Sequence, residues 1–109
     1  MKSSYYVICI KQIKYFNTLP VPKEKQNWKC AGLDYPVFGD PITPCFADFN
    51  EDTVLFDSIE QAEQWWNNNK PRLMPWINEG YYDASTLCIQ KRVVVVESEP
   101  VKNISIEEK

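Results

Sequence analysis

The alternation of hydrophobic and polar positions predicts one amphipathic helix near the middle of the chain. Ile59, Ala62 and Trp66 recur at helical spacing and fall on one stripe, with acidic and amide side chains on the other faces. Ser58 precedes the stripe at the position of an N-cap, where its hydroxyl can accept a hydrogen bond from the first turn. An asparagine run and a proline follow. We therefore predict a helix over residues 58–69 with Trp66 as its core anchor.

Two longer runs rich in β-branched and aromatic residues predict strands in the centre of a sheet. The first covers residues 5–13, where the alternation indicates that Ile8 and Ile10 face inward. The second covers residues 86–96 and is interrupted by three polar side chains at 90–92. We expect a bulge or a bend at that interruption.

Two shorter runs, residues 45–49 and 53–56, flank a polar turn and predict a β-hairpin that leads into the helix. Together these elements predict an α+β fold, in which a small antiparallel or mixed sheet of about four strands carries one main amphipathic helix on one face. The predicted single globular domain spans residues 1–97. Residues 98–109 form a charged tail that we expect to be mobile.

Residues 18–44 predict a long loop punctuated by proline, because they hold five of the eight prolines and two of the three glycines. A loop of this length without structure is unusual in a compact domain. One alternative is a compact excursion that contains one or two short strands. The other is a binding surface held together by its own aromatic side chains.

The complete absence of histidine limits the chemistry that the chain can perform. None of its 109 residues is a histidine, which excludes Ser-His-Asp and Cys-His catalysis and every zinc site that contains histidine. We predict no catalytic residue and no cofactor, and the composition favours a protein that is not an enzyme.

The four cysteines are distant from one another in the sequence and form no CxxC pair, which argues against a zinc site of four cysteines. No apolar run is long enough for a membrane span or a signal peptide. We therefore expect a cytosolic protein with reduced thiols and no membrane partner. Asp48, Asn50 and Asp52 imitate the start of a calcium loop, but Thr53 and Ile59 stand where that loop needs glycine and glutamate. No metal site is predicted.

Charge is distributed unevenly along the chain. Residues 34–63 carry eight acidic side chains and no lysine or arginine, whereas residues 1–33 carry six lysines and one glutamate. The acidic block creates a local negative field if its members share a face. Alternatively, the basic first third folds against the block and the two charges cancel. With a formal net charge of −3, we expect no direct binding to nucleic acid.

Large aromatic side chains and the acidic turn supply the candidate partner-binding residues. Tryptophan and tyrosine dominate the energetics of protein interfaces when they are exposed. Trp65 is the leading single candidate, because its helical angle places it beside the core stripe rather than on it. The complete predicted set is Trp65, Trp76, Tyr81, Tyr82, Asp48, Glu51 and Asp52.

These observations predict a small, non-catalytic, cytosolic module that binds a protein partner, with a homo-oligomer as one form of such binding. Two alternatives remain open at this stage. In the first, the acidic block imitates nucleic acid and blocks the basic groove of a nucleic-acid-binding protein, as small inhibitors encoded by mobile elements do. In the second, the chain is an enzyme or a ligand-binding subunit that uses carboxylate, cysteine or tyrosine side chains in a pocket.

Overall fold

The computed structural model describes residues 2–36 and 39–95, and these residues form a four-stranded antiparallel sheet packed against one α-helix. The α+β fold predicted from the sequence is confirmed. The order of the strands across the sheet is β3-β2-β1-β4. Val96 and the predicted tail at 98–109 lie outside the described residues. The elements in chain order are β1 (Lys2–Gln12), a 3-10 turn (Lys23–Lys25), β2 (Trp28–Asp34), β3 (Thr43–Ala47), α1 (Ile59–Asn78) and β4 (Tyr82–Val95).

Strand β1 lies in the centre of the sheet, as its sequence predicts. It pairs with β2 on one side and with β4 on the other. Ile8 and Ile10 face the core and are 2% and 0% exposed. The prediction that the last strand is also central is wrong, because in the described chain β4 pairs with β1 alone and forms an edge of the sheet. A β-branched sequence favours an extended conformation but does not specify the number of neighbouring strands.

The irregularity in β4 lies near its start and not at the polar residues 90–92. Between the partners of Cys9 and Lys11, β4 contains four residues where β1 contains one. The Lys11 N–H donates a 2.9 Å hydrogen bond to Thr86 Oγ1 inside this bulge. A side-chain hydroxyl therefore replaces the backbone acceptor that a regular ladder would supply.

Residues 52–56, which we call the wedge segment, lie between the diverging ends of β1 and β2. The N–H groups of Tyr6 and Phe56 each donate to the other residue's carbonyl, at 2.8 and 2.9 Å. On the side of β2, the Leu33 N–H donates to the Asp52 carbonyl at 3.0 Å, and the Val54 N–H donates to the carbonyl of residue 31 at 3.1 Å. The predicted hairpin between residues 45–49 and 53–56 is therefore wrong, since β3 pairs with β2.

Helix α1 begins where the sequence predicts but continues past the predicted end. Ser58 is the N-cap, and its Oγ accepts a 3.2 Å hydrogen bond from the Gln61 N–H. The helix then passes through Pro71 and Pro75 and ends at Asn78 rather than at residue 69. Both prolines are exposed, so neither ring disturbs the face that packs on the sheet.

The core contacts of α1 differ from the predicted stripe. Ala62 is fully buried as expected, but Ile59 is 45% exposed and Trp66 is only partly buried against the core. The buried side chains of the second half are Leu73 and Ile77, at 0% and 7% exposure. The predicted stripe is therefore correct for Ala62, partly correct for Trp66 and wrong for Ile59, and it omits the buried residues of the second half of the helix. The main core comprises Ile8, Ile10, Ala31, Phe46, Phe56, Ala62, Leu73, Ile77 and Tyr82.

The predicted loop at residues 18–44 contains several pieces of regular structure. The 3-10 turn, all of β2 and the first residues of β3 lie within it. The Val21 side chain is buried, and its N–H donates a 2.9 Å hydrogen bond to the Ile13 carbonyl. Of the two alternatives, the one with short strands describes this stretch.

Candidate interaction surface

Three aromatic side chains meet where α1 ends and β4 begins, and we call Phe16, Trp76 and Tyr81 the aromatic cluster. The ring centroids of Phe16 lie 6.0 Å from Trp76 and 5.3 Å from Tyr81, and those of Trp76 and Tyr81 lie 5.9 Å apart. These distances are typical of attractive aromatic pairs. Phe16 is nevertheless 63% exposed and Trp76 44% exposed. The cluster therefore presents a pre-formed aromatic surface to solvent.

Backbone hydrogen bonds hold Tyr81 in this position. Gly80, with a φ of +87°, turns the chain at the end of the helix in a conformation that glycine adopts without steric cost. The N–H groups of Ile13 and Lys14 both donate to the Tyr81 carbonyl, at 2.8 and 3.2 Å. The Lys14 ammonium donates to the Glu79 carbonyl at 2.9 Å and lies 4.7 Å from the centroid of the Tyr81 ring.

A tight turn after β1 presents Phe16 to the other two aromatic side chains. The Tyr15 N–H donates to the Leu19 carbonyl at 2.8 Å, and Thr18 closes the turn with a φ of +70°. Sequence analysis did not include Phe16 among the site residues. The signal in the sequence was the group of apolar residues Tyr15, Phe16 and Leu19, which follows the first predicted strand and directly precedes a proline.

A cleft of about 130 Å³ lies beside the aromatic cluster, between the end of α1 and the strands β2 and β3. Its apolar lining includes Phe16, Trp76, Phe46 and Pro44, and Asp34 also lines the cleft. Asp34 is exposed, so its carboxylate remains hydrated while it borders an apolar space. The cleft can receive an aliphatic side chain that has a cation nearby.

The structure separates the four predicted aromatic residues. Trp76 and Tyr81 belong to the cluster, whereas Trp65 packs on the core near the start of α1, 6.0 Å from the Phe56 ring. Tyr82 is 5% exposed, and its ring lies 5.0 Å from Phe46 inside the core. Burial raises the pKa of the Tyr82 phenol to about 12. Tyr82 is therefore a core residue and not part of an exposed surface.

The acidic candidates Asp48 and Glu51 lie in the turn between β3 and the wedge segment, Asp52 is the first residue of the wedge segment, and all three are exposed. Asp48 forms an ion pair of 2.5 Å with Lys29 on β2. The Asp52 N–H donates to Asn50 Oδ1 at 2.6 Å, so these polar residues also build the turn itself. None of these three acidic residues lines the cleft beside the aromatic cluster. The structure therefore does not join the acidic turn to the aromatic cluster.

Within residues 2–36 and 39–95, no group of three or more histidine, cysteine, aspartate or glutamate side chains is arranged to hold a metal ion. Among the same residues, no helix has the length and apolar character needed to cross a membrane. No protein-family model, curated protein or solved structure matches this chain. The assignment of function therefore depends on the geometry of the surface alone.

Proposed function

We propose that this protein is a non-catalytic, cytosolic interaction module that binds a protein partner through the aromatic cluster. The observation that carries the proposal is the mutual contact of Phe16, Trp76 and Tyr81 while two of their rings stay largely exposed. Because the rings already hold one another in place, little side-chain entropy is lost when a partner covers them. Fixed tryptophan and tyrosine side chains of this kind are typical energetic hot spots.

The partner in this proposal presents an aliphatic side chain with a lysine or arginine next to it. The aliphatic group enters the cleft between Trp76 and Phe46, and the cation approaches the Asp34 carboxylate at its border. An exposed charge pair of this type contributes little affinity but favours the correct orientation and faster association. Binding free energy then comes mainly from the aromatic contact.

Mimicry of nucleic acid has weaker support. In that alternative, the negative charge that imitates nucleic acid lies at the acidic turn. Lys29 forms an ion pair with Asp48 there and cancels part of the negative field. If charge supplies most of the affinity, the affinity should fall steeply between about 0.05 M and about 0.5 M salt, because the electrostatic screening length shortens over that range. The proposed aromatic contact should change by less than about tenfold over the same range.

The proposal is tested by affinity capture from the native lysate with the immobilised wild-type chain and its Trp76→Ala variant. Loss of a hot spot costs at least about 2 kcal/mol, so Trp76→Ala should retain the captured protein about thirtyfold less strongly. Val93→Ala is the matched control, since Val93 is also an exposed apolar residue, at 57%, but lies on β4.

Circular dichroism and thermal unfolding establish that both variants keep the fold. Equal retention by the wild-type chain and Trp76→Ala would show that the aromatic cluster is not the binding surface. Recovery of no partner from several lysates would count against the interaction module as a whole. Turnover of a small molecule that depends on the cleft would favour the enzyme alternative.

A further inference from the structure

Three of the four cysteines, which are far apart in the sequence, form a row across three neighbouring strands. Cys9 on β1 lies directly opposite Cys30 on β2 and, on its other side, directly opposite Cys88 on β4. The sulfur atoms of Cys9 and Cys30 are 3.9 Å apart and share a hydrogen bond. All four cysteines are free thiols.

The row lies on the face of the sheet opposite α1. Cys9 and Cys30 belong with Val7 to a small second cluster, separate from the core that contains the helix residues. Their exposures are only 0% and 1%. Tyr5 packs against this cluster, and the half-exposed Phe49 contacts both Tyr5 and Arg92. Within the described residues this face lies away from α1, so access to the thiols does not require separation of the helix from the sheet.

A cation lies beside the two thiols. Arg92 Nη2 is 3.6 Å from the Cys9 sulfur and 3.3 Å from Gln90 Oε1, which holds the guanidinium in place. The hydrogen bond with Cys9 and the nearby Arg92 charge lower the pKa of the Cys30 thiol to about 6, against the opposing effect of burial. The same hydrogen bond, together with burial, raises the pKa of Cys9. These two effects favour the thiolate, the nucleophilic form of cysteine, at Cys30 rather than at Cys9.

The backbone already has the geometry that a disulfide between the two strands requires. Directly opposed residues in antiparallel strands have Cα atoms about 4.5 to 5.5 Å apart, within the range of about 4.4 to 6.8 Å seen in disulfides. The sulfur atoms need to approach from 3.9 Å to about 2.05 Å. Rotation of the two side chains can supply most of that movement.

We propose that Cys9 and Cys30 form a reactive dithiol that hydrogen peroxide converts to a disulfide between β1 and β2. The Cys30 thiolate attacks one peroxide oxygen, the O–O bond breaks, and the departing oxygen leaves as water after it gains a proton. Cys30 is now a sulfenic acid. The Cys9 sulfur attacks the Cys30 sulfur, the S–O bond breaks, and the hydroxide leaves as a second water with the Cys9 proton. In total, two thiols lose two electrons and hydrogen peroxide becomes two waters.

The test treats the reduced full-length chain with hydrogen peroxide and maps its disulfides by mass spectrometry without reduction. Cleavage after lysine and arginine and before aspartate places the four cysteines on four different peptides. The expected product is a linked pair of peptides that contain Cys9 and Cys30, two mass units lighter than their sum. This measurement uses the wild-type chain, so it remains decisive even if a cysteine variant fails to fold.

Matched variants distinguish the reaction of Cys9 and Cys30 from reactions of Cys45 and Cys88. Cys45→Ser and Cys88→Ser should form the same link at the same rate, whereas Cys30→Ser should form none. Arg92→Gln should react about tenfold more slowly, because the thiolate loses its neighbouring cation. The oxidised wild-type chain should unfold about 10 °C higher than the reduced chain, since the new bond closes a loop between two strands.

Three outcomes would overturn the proposal. The first is a link from Cys9 to Cys88 or to Cys45 as the main product. The second is oxidation of Cys30 to sulfinic acid without a disulfide. The third is no reaction of the folded chain at a peroxide concentration that oxidises the same thiols in urea. None of these results depends on the aromatic cluster, so this test is independent of the proposed function.

Discussion

Gly32 occupies the place where the wedge segment approaches β2 most closely. A Cβ atom at this position would lie 2.7 Å from the Asp52 carbonyl oxygen and 3.2 Å from the Thr53 Cα. Both neighbours are backbone atoms, so they cannot move aside as a flexible side chain would. The hydrogen bond from the Leu33 N–H to the Asp52 carbonyl fixes this approach at 3.0 Å. Glycine is required here for space and not for an unusual backbone angle.

Gly32→Ala should therefore lower the free energy of unfolding by about 2 kcal/mol, the typical cost of a forced backbone shift in a packed region. Urea unfolding measures the change. Hydrogen exchange at the Leu33 amide should become faster at the same time. Gly39→Ala is the control, because nothing lies within 4 Å of its Cβ position, although its φ of +77° still costs about 1 kcal/mol. If the Leu33 amide remains equally protected in Gly32→Ala, the steric explanation is wrong.

Local sequence could not indicate the role of Gly32. Gly32 lies against Asp52 and Thr53, about twenty residues later in the chain. The periodicity of hydrophobic residues does not show which backbone segment approaches a glycine. By contrast, Ser58 was predicted correctly, because a cap and its N–H donor lie three residues apart. The cysteine row illustrates the same limit, since Cys9, Cys30 and Cys88 meet only through strand register.

At the scale of elements, α1 is the part of the fold in which local preference and packing disagree. A proline in a helix interior costs about 3 kcal/mol, which supports an end near residue 69. Burial of a leucine or isoleucine side chain contributes about 2 to 3 kcal/mol, and both Leu73 and Ile77 are buried in the continued helix. The two effects are of similar size. Packing of the second half can therefore offset the missing N–H donors of Pro71 and Pro75.

Leu73→Ala should destabilise the protein by about 3 kcal/mol, since it removes a fully buried side chain from the second half of α1. Ile59→Ala is the matched comparison in the first half and should cost less than about 1 kcal/mol, because Ile59 is 45% exposed. Denaturant unfolding of both variants measures the two changes in the free energy of unfolding. A larger loss in Ile59→Ala would restore the stripe predicted from the sequence and contradict the observed packing.

At the scale of the whole molecule, the sheet carries two unlike faces. Among the described residues, one face packs against α1 and contains the larger core, and the other contains the cysteine row. Sequence periodicity predicted the α+β class, because it reports which positions face inward. The order of the strands could not be obtained this way. A β-rich run has the same composition whether one strand or two pair with it, as the edge position of β4 shows.

The edge position of β4 has a direct signature in hydrogen exchange. In an antiparallel edge strand, alternate residues direct their N–H groups toward the partner strand or toward solvent. Protection in the regular part of β4, residues 88–93, should therefore alternate between slow and fast amides. The slow amides of β1 should exchange at least about a thousandfold more slowly than the turn at residues 15–19. Uniform protection along β4 would indicate a second neighbouring strand and contradict the observed order.

The position of β1 between its two neighbours also affects the order of events on the ribosome. β1 ends at Gln12, whereas β4 begins only at Tyr82, after β2, β3 and α1 have been translated. Until then, the side of β1 that β4 will cover lacks the partner that satisfies its backbone groups. From the synthesis of β1 until that of β4, the nascent chain thus carries an open pairing surface on its central strand, and this is the interval in which a chaperone would protect it best.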